Sequence, residues 1–261
     1  MSQVERPTKP RRSPLAYVGA LVLLGFTWYA ADQTSVSLPE LWSNLSRGSD
    51  LAREFWPPDW GIADNLVEPY VETIQIAVMG SFVGCTLAIP LAFLAAFPTA
   101  PGAAVRSVSR LVMNVLRTMP DLFWAILFST AVGFGPFAGA LALSFFSLSI
   151  MSKLFSETVD AVDLRAHEAV TATGATRLQA VRRAVWPQVR PGYVAYAFYI
   201  FELNIRASVV LGLVGAGGVG NDLNRWRQFF QYDRVMVLVI ITLVIVLLLE
   251  AVGAVVRRRL V

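Results

Sequence analysis

His167-Glu168-Ala169-Val170-Thr171-Ala172-Thr173-Gly174-Ala175-Thr176-Arg177, followed ten residues later by Pro187, decides how this chain is read. The stretch is polar and rich in arginine, yet very apolar segments lie on both sides of it. Glycine permits a sharp turn between two short helices, so Gly174 divides the stretch. Proline cannot continue a helix from within, so Pro187 is expected to stop the second short helix before the next apolar segment. The reading is a solvated loop of two small helices set between segments that belong in a membrane.

The composition agrees. The chain has 261 residues, 56% hydrophobic and only 15% charged, which is too apolar for an ordinary soluble domain. Charges are absent from Ser13–Ala31, Thr73–Val105, Leu122–Ser152 and Val235–Leu249. A helix needs about 20 apolar residues to cross the hydrocarbon, and we read six spans: 14–31, 69–97, 107–132, 137–160, 191–213 and 234–256. The organisation that follows is a tail of residues 1–13, the first span, an external segment 32–68 and a core 69–261 containing the polar loop 161–190. The first span follows Arg6, Lys9, Arg11 and Arg12 and resembles a signal sequence, but its apolar run is long for one. We therefore expect an uncleaved anchor.

The arginines set the orientation. Arg106, Arg110, Arg165, Arg177, Arg182, Arg183, Arg190 and the tail Arg257-Arg258-Arg259 cluster at the ends of spans, as cytoplasmic residues do. Segment 32–66 carries Asp32, Glu40, Asp50, Glu54, Asp59 and Asp64 against Arg47 and Arg53, which suits an external loop. Both termini are then cytoplasmic. Arg225, Arg227 and Arg234 are discordant, being external. The formal net charge of +4 is accounted for by topology, which removes the case for nucleic-acid binding. Within the external loop, Leu41, Leu45, Leu51 and Phe55 suggest a short amphipathic helix, broken at Trp56-Pro57-Pro58-Asp59-Trp60. The single Cys85 lies in an apolar run and cannot form an intrachain disulfide.

Several patterns bear on chemistry. Gly215-Ala216-Gly217-Gly218-Val219-Gly220 matches a dinucleotide fingerprint literally. No strand precedes it and no acidic residue follows at the required distance. A bend or close helix crossing at Gly215, Gly217, Gly218 and Gly220 fits better. No Walker A motif is present; the only lysines, Lys9 and Lys153, do not follow glycine as that motif requires. No His/Cys cluster suggests a metal, and the lone His167 reads as a solvated neighbour of Glu168. Two arginines fall inside expected spans. Arg206 lies fifteen residues past Pro191, about 22 Å along a helix. Charge at such depth is costly unless paired or facing water, so Arg117 and Arg206 are candidates for a substrate path, with Asp121, Glu202, Asn204 and Ser208 beside them. The structural alternative is an i,i+4 pair in each case, Arg117–Asp121 and Glu202–Arg206. Pro120 would kink the first.

The loop also carries a resemblance. Glu168, Ala169, Gly174 and Pro187 stand at the positions of the E-A-A, three residues, G, nine residues, I-x-L-P pattern of bacterial ABC importer permeases. Val170, Ala184 and Trp186 replace the usual Ala, Ile and Leu. Trp56–Trp60, Arg117–Ala125, Gly133–Gly139 and Asn204–Gly212 look like the phosphonate-type permeases in particular. The resemblance implies an all-α membrane protein with the type I ABC importer fold, six transmembrane helices and cytoplasmic coupling helices, in a bacterial inner membrane. It implies coupling to an ATPase through Arg165, His167, Glu168, Ala169, Thr171, Gly174, Ala175 and Pro187. It implies a second copy of the chain, two cytoplasmic ATPase subunits that hold ATP and Mg, an external substrate-binding protein and surrounding lipid. The chain itself would be neither an enzyme nor a cofactor carrier. The cargo would be phosphonate, phosphite or phosphate, moved by alternating access. A permease of this architecture for another small solute, such as an amino acid, and an ion-driven secondary carrier are the alternatives.

Overall fold

A computed structural model describes residues 14–34 and 37–260. The basic tail 1–13, with Arg6, Lys9, Arg11 and Arg12, lies outside them. The chain divides between Arg53 and Glu54 into two compact units.

The first unit starts with α1 (Pro14–Gln33). Its residues from Tyr17 to Tyr29 are all exposed, and they are apolar around the whole circumference, as a lipid-facing helix requires. Twenty residues make about 30 Å of helix. Next come α2 (Leu38–Ser43) and α3 (Leu45–Glu54). Ser37 caps α2 by accepting the Glu40 N–H at 3.2 Å. The expected single amphipathic helix is thus two helices, with no buried residue in α3.

In the second unit a 3₁₀ turn (Trp60–Leu66) runs into α4 (Val67–Ala95). There follow α5 (Ala103–Thr118), α6 (Asp121–Val132), α7 (Pro136–Asp160), α8 (Leu164–Ala172) and α9 (Arg177–Ala180). A π turn (Val181–Val185) leads into α10 (Trp186–Gly212), and α11 (Val219–Gln228) and α12 (Tyr232–Leu260) complete the chain. Among the described residues, four helical runs are long and apolar enough to cross a membrane: Trp60–Ala95, Pro136–Asp160, Arg177–Gly212 and Tyr232–Val255. The pair α5 and α6 makes a fifth if counted together. The remaining expected span is α1.

Two sequence expectations are corrected. The third span, read as 107–132, is broken: α5 and α6 meet at 87° across Met119-Pro120. Pro120 has no N–H to give α5 and forces the residue before it into extended geometry; Met119 has φ −81 and ψ 128. Nor does Pro187 stop a helix. It lies at the beginning of α10, directly after the π turn, an irregularity that accommodates its missing N–H. The helical run continues from Arg177 to Gly212.

Packing follows membrane rules. Small residues line the buried side of α4 and large apolar ones stand on its surface, because lipid offers no hydrophobic penalty to an exposed phenylalanine. Ala77, Ala88 and Ala92 on α4 are fully buried, while Phe82 is 69% exposed. Gly80 and Gly84 let α4 lie against α7; a Cβ at Gly84 would sit 2.5 Å from the Ser147 Cβ. α10 crosses both of these helices, burying Ile200 and Leu211. Tyr70 ties α4 to α12 through its hydroxyl, which lies 2.7 Å from the Leu238 carbonyl and 2.7 Å from the Thr242 hydroxyl. Below, Phe93, Phe155, Trp186 and Tyr193 pack edge to face or tilted where α4, α7 and α10 converge.

Candidate functional site

The polar loop is shaped by local hydrogen bonds. Asp163 is the N-cap of α8, accepting from the Arg165 N–H at 3.0 Å, and its carboxylate also takes the Arg165 guanidinium at 2.8 Å. The Arg165 side chain and backbone together hold the Asp163 carboxyl below the usual carboxylate range. α8 buries none of its residues, so Arg165, Glu168, Ala169 and Thr171 lie exposed on it. Thr171 only returns a bond to the His167 carbonyl, at 2.8 Å. Gly174 follows with φ +81, a left-handed conformation that disfavours any side chain. Ala175 is half-buried. Thr176 and Gln179 then form a capping box that starts α9. The first short helix and the glycine turn are present, but the second is the start of the continuous run into α10 rather than a separate helix. His167 also departs from the sequence reading: its Nε2 is buried and without a hydrogen-bond partner, so the ring is not simply solvated. Among the described residues no His/Cys/Asp/Glu group is placed to hold a metal.

The candidate path residues separate into three settings. Arg117 and Asp121 lie on different helices, and among the described ion pairs they do not meet. The break at Pro120 removes the helical register that an i,i+4 contact needs. Instead each suits its own helix end: Arg117 is in the last turn of α5 and Asp121 in the first turn of α6, where the helix dipole favours positive and negative charge respectively.

Glu202 and Arg206 do form their pair on α10. The Glu202 side chain is 12% exposed and that of Arg206 50%. Both line a cavity of about 600 Å³ with Leu154, Tyr196, Tyr199 and Glu250. Glu250, on α12, escaped the sequence reading. Its only signal was a lone carboxylate ending the charge-free run Val235–Leu249. Asn204 faces the opposite way and is fully buried. Its amide donates to the Ser81 and Ser147 hydroxyls, both at 2.7 Å, joining α10 to α4 and α7. Ser208 is buried as well, at 2% exposure.

The glycine segment is a close crossing. α11 folds back on α10 so tightly that a Cβ on Gly212 would lie 2.5 Å from the Gly220 Cα. Gly215, Gly217 and Gly218 have positive φ, and the Val219 N–H, the start of α11, is held by the Thr73 hydroxyl at 2.9 Å. The space beside these glycines is taken by Phe134, Pro136, Thr73 and Val209.

Comparison with known proteins fits this arrangement. The chain is 37% identical to the phosphite transport system permease protein PtxC of Stutzerimonas stutzeri over 94% of its own length and 88% of the relative's. It is 40% identical to the phosphate-import permease protein PhnE of Mycolicibacterium smegmatis over 72% of this chain and 35% of that one. Among solved structures, an inward-facing MetNI methionine ABC transporter superposes with a TM-score of 0.66 at 22% identity, covering 75% of this chain and 96% of that one. That likeness establishes the type I importer permease fold. The family described as "Binding-protein-dependent transport system inner membrane component" matches residues 88–261. With an all-helical core, an exposed two-helix loop around Gly174 and this match over two thirds of its length, the chain belongs to that family, as the membrane-embedded permease subunit of an ABC importer.

Proposed function

We propose that two copies of this chain form the transmembrane pathway of an ATP-driven importer for a phosphorus oxyanion: phosphonate, phosphite or phosphate. The observation that carries the cargo is the 37% identity to a phosphite permease along 94% of the chain, joined by the phosphate-import relative at 40%. Two cytoplasmic ATPase subunits would hold ATP and Mg and grip the loop between Arg165 and Pro187, with Arg165, His167, Glu168, Ala169, Thr171, Gly174 and Ala175 at or near the contact. Both termini are cytoplasmic, and an external binding protein delivers the anion. Closure of the ATPase dimer would carry the loops together and open the pathway outward; hydrolysis would reset it. Each nucleotide state must favour one conformation by its differential affinity.

Arg206 is the path residue best placed for an oxyanion. A guanidinium offers bidentate hydrogen bonds that match a phosphoryl group. Half-exposed on a cavity, Arg206 is reachable. Glu202 now occupies it, so the anion would displace that carboxylate as the pathway opens.

The test uses the transporter reconstituted in liposomes with its ATPase and binding protein. Uptake of radiolabelled phosphite or phosphate, dependent on ATP, is the expected result. Uptake of methionine alone would overturn the cargo. Arg206→Lys should reduce transport and Arg206→Ala should reduce it further. If instead Arg206→Ala mainly lowers protein level, and Glu202→Ala combined with it restores full transport, then Arg206 serves only to neutralise Glu202.

A further inference from the structure

A groove of about 720 Å³ opens where the end of α4 meets α9 and the π turn. Its walls are apolar, from Phe93, Leu94, Val181 and Trp186, and its rim carries Arg177 and Arg182. No carboxylate is among the residues that line it. Two other cavities with charged linings differ, and a third, lined mostly by apolar residues and by Arg206, has that arginine already paired with Glu202. The one beside Arg206 holds Glu202 and Glu250. The one beside Arg110 and Lys153 has both cations neutralised, by Asp160 at 2.8 Å and Glu157 at 2.9 Å.

We propose that this groove binds one anionic phospholipid, its acyl chain along the apolar wall and its phosphate between Arg177 and Arg182. The walls belong to helical runs long and apolar enough to span the membrane, and Arg177 bonds to the Ala100 carbonyl, just past the end of the first run at Ala95. That is the depth of a headgroup. Arg177 is fixed on the rim because it donates to the Ala100 carbonyl, and a guanidinium with five N–H donors has others left for phosphate. Arg182 is exposed on the π turn. A zwitterionic lipid would bring its own cation against these two, so the preference is for net negative headgroups. Val181 and Arg182 are themselves part of the π turn that joins the coupling loop to α10, so the lipid would sit on the connection between them. The proposal rests on membrane placement and not on the cargo, and either can fail without the other.

The experiment is native mass spectrometry of the purified protein after exposure to palmitoyl-oleoyl phosphatidylglycerol or phosphatidylcholine. The parent should retain one phosphatidylglycerol with a preference on the order of tenfold. Arg182→Gln should lower that preference about fivefold, and Leu94→Trp should reduce retention of both lipids by filling the groove. Arg190→Gln, exposed on α10 outside the groove, should match the parent. Equal retention of the two lipids by the parent, or an Arg182→Gln protein that behaves as the parent does, overturns the site. Displacement of the lipid by inorganic phosphate would make the arginines a simple anion site, and loss of the lipid when the ATPase binds would make the groove a protein contact. Both results also overturn the proposal.

Discussion

The helical run Arg177–Gly212 begins in one kind of structure and ends in another. At its start, Gly174 turns with φ +81, yet a side chain there would meet nothing within 4 Å. The turn itself is flanked by bonds between near neighbours in sequence, Asp163 with Arg165 and Thr176 with Gln179, while Arg177 and Asp163 tie the loop to Ala100 and Gln188. At its end, Gly212 and Gly220 touch backbone to backbone, and at Gly217 Glu72 and Pro136 come within 2.9 Å of where a Cβ would be, too close for one to fit. The first glycine is required for its dihedral angle, the second pair for the space they leave. A loop with the first requirement can be reshaped without disturbing the core. A crossing with the second cannot move without parting two helices.

The largest effect should come from Gly220→Val. Its Cβ would run into the Val209 carbonyl and the Gly212 Cα, all backbone atoms that cannot rotate away. Overpacking of that kind costs about 3 kcal/mol or more, so the yield of folded protein on fluorescence-detected size exclusion should fall more than about tenfold. A yield near the parent's would break the steric half of the comparison. Gly174→Ala should cost only about 1–2 kcal/mol, the strain of a left-handed alanine. Folded yield should stay close to that of the parent, while substrate-stimulated ATP hydrolysis drops because the loop alters shape. Gly174→Asn should lose less, since asparagine tolerates that conformation. If Gly174→Ala and Gly220→Val fail alike, the two ends are not distinct.

The smallest effect concerns acid. The Asp163 carboxyl sits below the usual carboxylate range because Arg165 bonds to it. A lowered folded value stabilises wherever the unfolded group is already ionised, and that gain is lost as pH falls through the folded value. Hydrogen exchange across 164–172 should therefore show no change in loop stability between pH 7 and about 5, and loosening only below about 4. Asp163→Asn keeps a capping side chain but should remove the acid response. Loosening already between pH 5 and 7 would overturn this account.

Much of this was legible in the sequence, and the failures have a common cause. Charge-free runs gave the long helices because burying apolar surface in lipid is a summed property of about 20 residues. Gly174 was legible because the turn is decided by that residue alone. Pro120 was read as a kink and became an 87° corner, because hydropathy averages across a break that backbone geometry decides. Pro187 was read as a stop, yet the run passes through it directly after a π turn, because a local widening of the helix can absorb a missing N–H that sequence alone reads as a break. Asn204 stood among the path residues by proximity to Arg206. Two residues apart on a helix face nearly opposite ways, and only the packing of α4 and α7 shows which side holds Ser81 and Ser147. Glu250 joins Glu202 and Arg206 from a helix nearly fifty residues away, a meeting that no local pattern encodes.

The π turn at Val181–Val185 sets the phase of everything after it. A π turn holds one residue more than an α turn does, and each residue turns a helix by about 100°. The face that α10 offers to the core is therefore indexed to the coupling loop by that one added residue. Rewound as α-helix with the loop held in place, the same sequence would swing Arg206 away from its cavity by about a quarter of a revolution and bring other side chains round in its place. A push applied at the loop would therefore reach whichever side chains this turn brings round.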